Sequence, residues 1–310
     1  MADAFLALAD LLKVNNNNLA DRSISVLLDD APLLAVLAAD TCPFTVHSYL
    51  KETAAPVVGF RSVNDGRENT KSTDTQVDVT LKILDASTTI DKAMADAYKN
   101  GPEAYIAREA ARMLKSAFFY AEKQYLYGTV AGAAAGFTGL ADVLTFGSTT
   151  VINATGSTAN TGSSVFAIRT TSDLNDVVAV AGQNGNLSVD DSVVIRAAGA
   201  TTGTYPAYYT PIHAWMCLQI GGAYSVGRIC NLTAQAGKTL TDALLAQCLA
   251  TFPASRPPTH WAMNRRSLFQ LQAARTATNS TGAPAPIPTE SFGIPIVVTD
   301  AIVSTEAILA

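Results

Sequence analysis

A run from Gly101 to Gly128, GPEAYIAREAARMLKSAFFYAEKQYLYG, constrains this chain more than any other stretch. Pro102 suits the first turn of a helix, where its missing N–H costs nothing, and no Gly or further Pro follows until Gly128. The spacing predicts one uninterrupted helix, about 40 Å long at 1.5 Å per residue. Ile106, Ala110, Met113, Ala117 and Ala121 recur at three and four, so this stripe should face a core. Arg108, Arg112, Lys115 and Glu122 should share the opposite, solvated face. The helix pairs no catalytic side chains; it is a beam, and the rest of the chain must supply its load.

With 310 residues, 48% of them hydrophobic and 15% charged, the chain has enough apolar material for two domains or one elongated one. Few aromatics and many small residues favour thin, sheet-rich layers. A formal charge of −5 without a Lys/Arg tail excludes the electrostatic footprint of a nucleic-acid binder. Cys42, Cys217, Cys230 and Cys248 are far apart and lack CxxC or neighbouring His, so buried free thiols are expected. The start, MADAFLALADLLK, has no basic residue ahead of its apolar part, and the longest apolar run, Ala31 to Ala39, falls short of a membrane span. Neither a signal peptide nor a membrane partner is expected.

Residues Ala2 to Lys13 read as a short amphipathic helix with Phe5, Leu8, Ala9 and Leu12 on one face, ended by Asn15 to Asn18. Asp30-Ala31-Pro32 reads as a capped start for a second helix through Leu33, Leu34, Val36 and Leu37. Neither piece can bury its apolar face alone, so together they form an arm that must lie on this body or a neighbour's.

Between Val46 and Leu84 the period falls to two. Val77, Val79, Leu81 and Ile83 alternate with polar residues, and Val58 and Phe60 suggest the partner strand of a long hairpin. Its tip from Arg61 to Asp74 carries both charge signs and an Asp-Gly turn signal; Arg61, Asn64, Asp65, Arg67, Glu68 and Lys71 are candidate contacts to another subunit. An isolated two-stranded hairpin is marginal in water, so this one needs a surface to rest on.

After the long helix, Gly128 to Gly162 reads as a glycine-rich connector. Strands are expected at Val165 to Arg169, Val177 to Val180, Val193 to Arg196, Pro211 to Ile220, His260 to Met263 and Ile294 to Thr299. The strand containing Trp215 is apolar enough to be buried on both faces. Helices are expected from Lys238 to Phe252 and, capped by Asn264, from Arg265 to Arg275, with a Pro-rich loop from Ala283 to Pro288.

Catalytic constellations are missing. His47, His213 and His260 stand apart, with no HxH or HExxH. Ala236-Gly237-Lys238-Thr239 resembles the end of a phosphate loop, but the first glycine position is Leu232, and a helix cap is the better reading. There is no GxSxG, and Gly132, Gly136 and Gly139 do not follow a strand. Asp29-Asp30 and Asp190-Asp191 suit solvated turns. The sequence therefore argues against an enzyme, and no cofactor or metal is expected.

The order of helical arm, long hairpin, long helix, glycine connector and sheet-rich domain resembles the major capsid (coat) protein of tailed bacteriophages. Local runs add to the resemblance: Phe60-Arg61-Ser62-Val63-Asn64-Asp65-Gly66, Tyr125-Leu126-Tyr127-Gly128, Gly136-Phe137-Thr138-Gly139-Leu140, Ser163-Ser164-Val165-Phe166-Ala167-Ile168-Arg169, Gly227-Arg228-Ile229-Cys230-Asn231-Leu232, His260-Trp261-Ala262-Met263-Asn264-Arg265, and Gly293-Ile294-Pro295-Ile296-Val297-Val298-Thr299-Asp300-Ala301-Ile302. The resemblance implies an α+β fold with an N-terminal arm (1–45), an extended hairpin or E-loop (46–85), a peripheral domain with the spine helix (86–130 and 253–275) and an axial domain (131–252 and 276–310).

It further implies a structural protein that assembles through hexamers and pentamers into an icosahedral virion shell, made in the bacterial cytoplasm and enclosing double-stranded DNA without sequence-specific binding. A portal protein, a separate scaffolding protein and decoration proteins would be its partners. Contacts between copies are expected from Phe5, Leu8 and Leu12, from the hairpin tip, and from Arg108 and Arg112 if the charged helix face is a shell surface. Two departures stand out. The chain starts directly at the arm, without a scaffolding segment, and the strand around Trp215 precedes the helix at Lys238, so the axial strand order should be rearranged. Competing classes are an encapsulin-type compartment shell, a tail or receptor-binding protein, and an unrecognised enzyme.

Overall fold

The computed structural model describes residues 13–14, 28–54, 56–68, 71–130, 136–171, 175–222, 224–279 and 283–309. In chain order the strands begin with β1 (Lys13–Val14), β2 (Ala38–Cys42), β3 (Val46–Ala54), β4 (Thr73–Thr80), β5 (Lys82–Asp85) and β6 (Thr88–Asp91). Helices α1 (Lys92–Asp96), α2 (Pro102–Tyr127) and α3 (Leu140–Val143) follow. Then come β7 (Val151–Asn153), β8 (Ser163–Ile168), β9 (Val177–Gly182), β10 (Asn186–Val189), β11 (Val193–Ala198), β12 (Thr204–Thr210), β13 (Ile212–Ile220) and β14 (Val226–Leu232). The chain closes with α4 (Asp242–Ala250), β15 (His260–Met263), α5 (Arg265–Ala277), β16 (Glu290–Ser291) and β17 (Ile294–Val298).

The long helix α2 has the ends its sequence predicts, but its faces differ. The buried stripe is Ala110, Leu114, Ala117, Phe118, Ala121, Glu122, Tyr125 and Leu126, while Met113 is 38% exposed. Glu122, expected in solvent, is fully buried. Its position four residues after Phe118 and three before Tyr125 puts it on the apolar stripe, and backbone donors replace the water it loses.

Other expectations need correction. Lys13, expected at the end of a helix, lies in β1, paired in parallel with Asn186; the rest of the 2–13 helix lies outside the described residues. The second arm helix is a single 3-10 turn, Pro32–Ala35, without a side-chain cap, and the chain passes at once into β2. Val58 and Phe60 are not the hairpin's second strand; β3 is, in register from Val46 opposite Thr80 to Ala54 opposite Thr73. Strand β4 stops at Thr80, and Ile83 belongs to β5, which pairs with β13. Helix α4 starts at Asp242, capped by the Thr241 hydroxyl, so the Gly237-Lys238-Thr239 run precedes it. The connector holds β7 and the short helix α3.

Two large sheets form the body. In one, β13 is central: β9 and β10 share one edge, β5 takes the other, and β2 and β1 lie outside. The second runs β16-β17-β15-β8-β14-β7. Strand β8 is wholly buried, and its period-two alternation sorts side chains between two cores. Phe166 and Ile168 join α2 and the first sheet, with Leu34, Leu114, Phe118 and Val180. Val165 and Ala167 join the far side, with Leu245, Trp261 and Leu271 around α4 and α5. This sheet is thus a wall with an apolar layer on each face. The four cysteines are free and buried. A small sheet, β11-β12-β6, stands apart, and among the described residues β3-β4 forms a two-stranded ribbon with no third strand.

Candidate assembly interface

The ribbon packs on the body at its base. Alternation along β3 turns His47 and Tyr49 toward the body, where His47 Nε2 lies 2.7 Å from Gln219 Oε1 and the Tyr49 hydroxyl donates to Ile220 O at 3.2 Å. The two rings are loosely stacked, 6.0 Å apart and inclined by 29°, and burial raises the Tyr49 hydroxyl above its ordinary pKa. Val77 and Val79 stand opposite them, half-buried. Further out the support ends: Leu50 is 70% exposed, and Thr73 to Gln76 are all in solvent.

The tip beyond is a braced loop. Arg67 donates Nη1 to Gly59 O (3.0 Å) and Nη2 to Val57 O (2.6 Å), holding the two arms together. Asp65 N–H closes the turn on Ser62 O at 3.3 Å, and Gly66 N–H donates to Asp65 Oδ1 at 2.9 Å. Asn64 sits at φ 65°, left-handed backbone that Asn tolerates better than most residues. The turn therefore precedes the Asp-Gly pair. On this frame Val57, Val58, Phe60 and Val63 point outward, Phe60 at 105% exposure.

The candidates from sequence fall as follows. Phe5, Leu8 and Leu12 lie outside the described residues. Arg61 reaches back to Asp65 O at 3.4 Å; Arg67 is the brace; Glu68 and Lys71 are exposed. Arg108 lies over the rings of Tyr98 and Tyr105 (5.1 and 4.9 Å) and shares Glu109 with Arg112. The sequence reading missed the apolar half of the tip. The signal was Pro56-Val57-Val58-Gly59-Phe60, an apolar run between a Pro and a polar turn, which resembles a strand until the register is known.

The body holds buried charge that the sequence reading did not find. Arg228 pairs with Glu306 at 2.8 Å and also holds Ser164 Oγ (2.9 Å) and Ala141 O (3.2 Å). The Tyr127 hydroxyl donates to the same carboxylate, and burial raises its pKa. Asp176 receives Arg169, Arg256 and Ser225. Each cluster joins distant segments of the chain. Among the described residues, no His/Cys/Asp/Glu group could hold a metal, and no helix is long and apolar enough to cross a membrane.

The sequence model of the family described as Major capsid protein GP7 matches residues 24–310. No curated protein matches the chain. Among solved structures, a chain of the bacteriophage epsilon15 structure is similar with a TM-score of 0.61 and 17% identity over 88% of both chains. The capsid of bacteriophage JBD30 is similar with a TM-score of 0.49 and 8% identity, over 89% of this chain and 92% of that one. An encapsulin of Synechococcus elongatus matches with a TM-score of 0.44 and 9% identity, over 67% and 90%.

Proposed function

The chain belongs to the major capsid protein GP7 family, and on that premise we propose that its ribbon is the device by which one shell subunit holds the next. It is a structural protein of the virion capsid with the α+β tailed-phage capsid fold, and it is not an enzyme. The observation that carries the proposal is the β3-β4 ribbon, among the described residues a pair of strands without a third, whose tip shows Val57, Val58, Phe60 and Val63 to solvent. Such a ribbon is marginal alone and such a tip is an aggregation hazard, so both require a cover, and copies of the same chain supply it in a shell.

In this reading subunits form hexamers and pentamers of an icosahedral shell around double-stranded DNA. The ribbon crosses a neighbour, and the part of the N-terminal arm (1–45) ahead of β1 clasps another, since β1, β2 and Leu28 to Leu37 belong to this subunit's own sheet and core. Residues 86–130 form the peripheral part with the spine helix α2. The sequence division groups residues 253–275 with that peripheral part; the hydrogen bonds of β15 to β8 and β17 and the packing of α5 on the same layer support grouping them with the axial sheet instead. A portal, a separate scaffold and decoration proteins are the further partners. The net charge of −5 fits a container whose lining does not grip the genome.

Negative-stain microscopy of the purified protein tests this reading: closed shells of uniform size are expected, and a monomer that persists over a wide concentration range overturns it. Deleting Asn64 to Thr73 should leave a folded subunit that forms no shells; a collapsed, insoluble subunit would argue that the tip serves the subunit's own fold.

A further inference from the structure

Where the ribbon meets the body, β5, α2 and the connector enclose a half-open cavity of about 210 Å³, walled by Ile83, Leu84, Tyr120, Phe137 and Met216 with Lys82 at its rim. It is smaller than the 300–1,000 Å³ usual for a small-molecule site and is sized for one aromatic side chain. Its walls are apolar, yet Ile83 and Tyr120 are 55% and 48% exposed.

We infer that this cavity receives Phe60 of a second copy of the chain. Among the described residues Phe60 is 105% exposed, so its ring is uncovered by its own subunit. The cavity lies at the base of the ribbon, since Lys82 to Leu84 follow directly on β4, whereas Phe60 belongs to the loop at the other end. The eight residue steps from Val46 to Ala54 separate those ends by about 26 Å. An extended ribbon therefore presents its own knob to a neighbour's hole.

The charges agree. Glu68 lies in the same tip loop as Phe60 and Lys82 lines the cavity; both are exposed, and among the described residues neither makes an ion pair. A seated Phe60 carries Glu68 toward the Lys82 rim. Knob and hole are different surfaces, so the contact is head-to-tail and propagates into rings when the rotation closes. This inference rests on the shell reading and adds the seat to it.

The test uses full-length protein carrying Phe60→Cys and Ile83→Cys, treated after assembly with a short bifunctional maleimide; the four native cysteines are buried. A covalent ladder extending beyond dimers, absent from either single variant, is expected. Shells that form but do not cross-link overturn the seat and leave the shell reading intact. Dimers alone overturn the head-to-tail arrangement. A ladder or an intramolecular link from Leu8→Cys with Ile83→Cys instead assigns the cavity to the arm and overturns the inference. Failure of the wild-type chain to form shells overturns the reading beneath it. As a second measurement, Phe60→Ala should keep the subunit's thermal midpoint and raise the critical concentration for assembly about tenfold; an unchanged critical concentration overturns the seat.

Discussion

The backbone N–H of Leu33 donates to the carboxylate of Glu122 over 3.0 Å, across 89 positions of sequence, inside the core. The Thr299 hydroxyl donates to the other oxygen. One buried side chain thus joins the 3-10 turn of the arm, the C-terminal part of α2 and the residue that follows β17. Withdrawal from water pushes the carboxyl up to about 7, against an ordinary 4.5, and the donated hydrogen bonds only partly offset this.

A folded-state pKa above the unfolded one means that the native state binds the proton more tightly. Glu122 therefore contributes most at low pH, and its contribution falls as pH rises from about 4.5 through about 7. The ionised form costs about 3 kcal/mol at 1.36 kcal/mol per pK. Glu122→Gln keeps an acceptor for Leu33 and a donor for Thr299 but cannot ionise. Thermal midpoints between pH 5 and 8 should fall more steeply for the wild type than for the variant; parallel curves would show that Glu122 does not titrate in this range.

Glu122 also marks where the sequence stopped being legible. Pro102 and Gly128 bound α2 because the signals are local, and Asn264 was readable as a cap because it lies three residues from the N–H of Ser267 that it accepts. The stripe itself could have been read more closely, since Leu114, Phe118, Glu122, Tyr125 and Leu126 share one face at helical spacing. That a carboxylate on it would be satisfied depends on Leu33 and Thr299, which no local pattern brings near. The ribbon shows the same limit. The alternation of β4 is plain, but its partner is Val46–Ala54, and register is fixed by pairing between strands, not by either strand alone. The apolar tip was hidden for that reason, because Val58 and Phe60 were assigned to a strand they do not form.

The Arg228–Glu306 pair fastens the C-terminal segment across β8 and β14. Both side chains are almost fully buried, so removing one leaves the other charged and without its counterion. Glu306→Ala should lower stability by about 3–5 kcal/mol, whereas replacing both residues with apolar side chains of similar volume should cost much less. Urea titrations of the two singles and the double give the coupling, and additive losses would contradict a tight pair.

Glycines here act through two different causes, which can be separated. Gly139 has ordinary φ, but a Cβ on it would lie 2.5 Å from Gly128 N and 2.8 Å from Gln124 O, where the connector folds back on the end of α2. Gly147 has open space around it but φ 89°. Gly139→Ala must displace backbone and should cost about 1–3 kcal/mol. Gly147→Ala meets only the left-handed conformation, about 1 kcal/mol. Denaturant midpoints that rank the two the other way would refute the packing argument.

Arg67 separates the folding of the subunit from the shape of its tip. Its guanidinium spans two carbonyls, Val57 O and Gly59 O, with two donors in a fixed fork, which a lysine ammonium cannot reproduce with the same geometry. The brace lies in an exposed loop far from both cores, so Arg67→Ala should leave the thermal midpoint within about 0.5 kcal/mol of wild type. The arms from Val57 to Glu68 should then open, with faster protease cleavage there and a fall in shell yield. Arg67→Lys should behave like the alanine variant in both assays. Full shell yield from the lysine variant would mean that charge at this position is sufficient and that the bridging geometry does not set the tip.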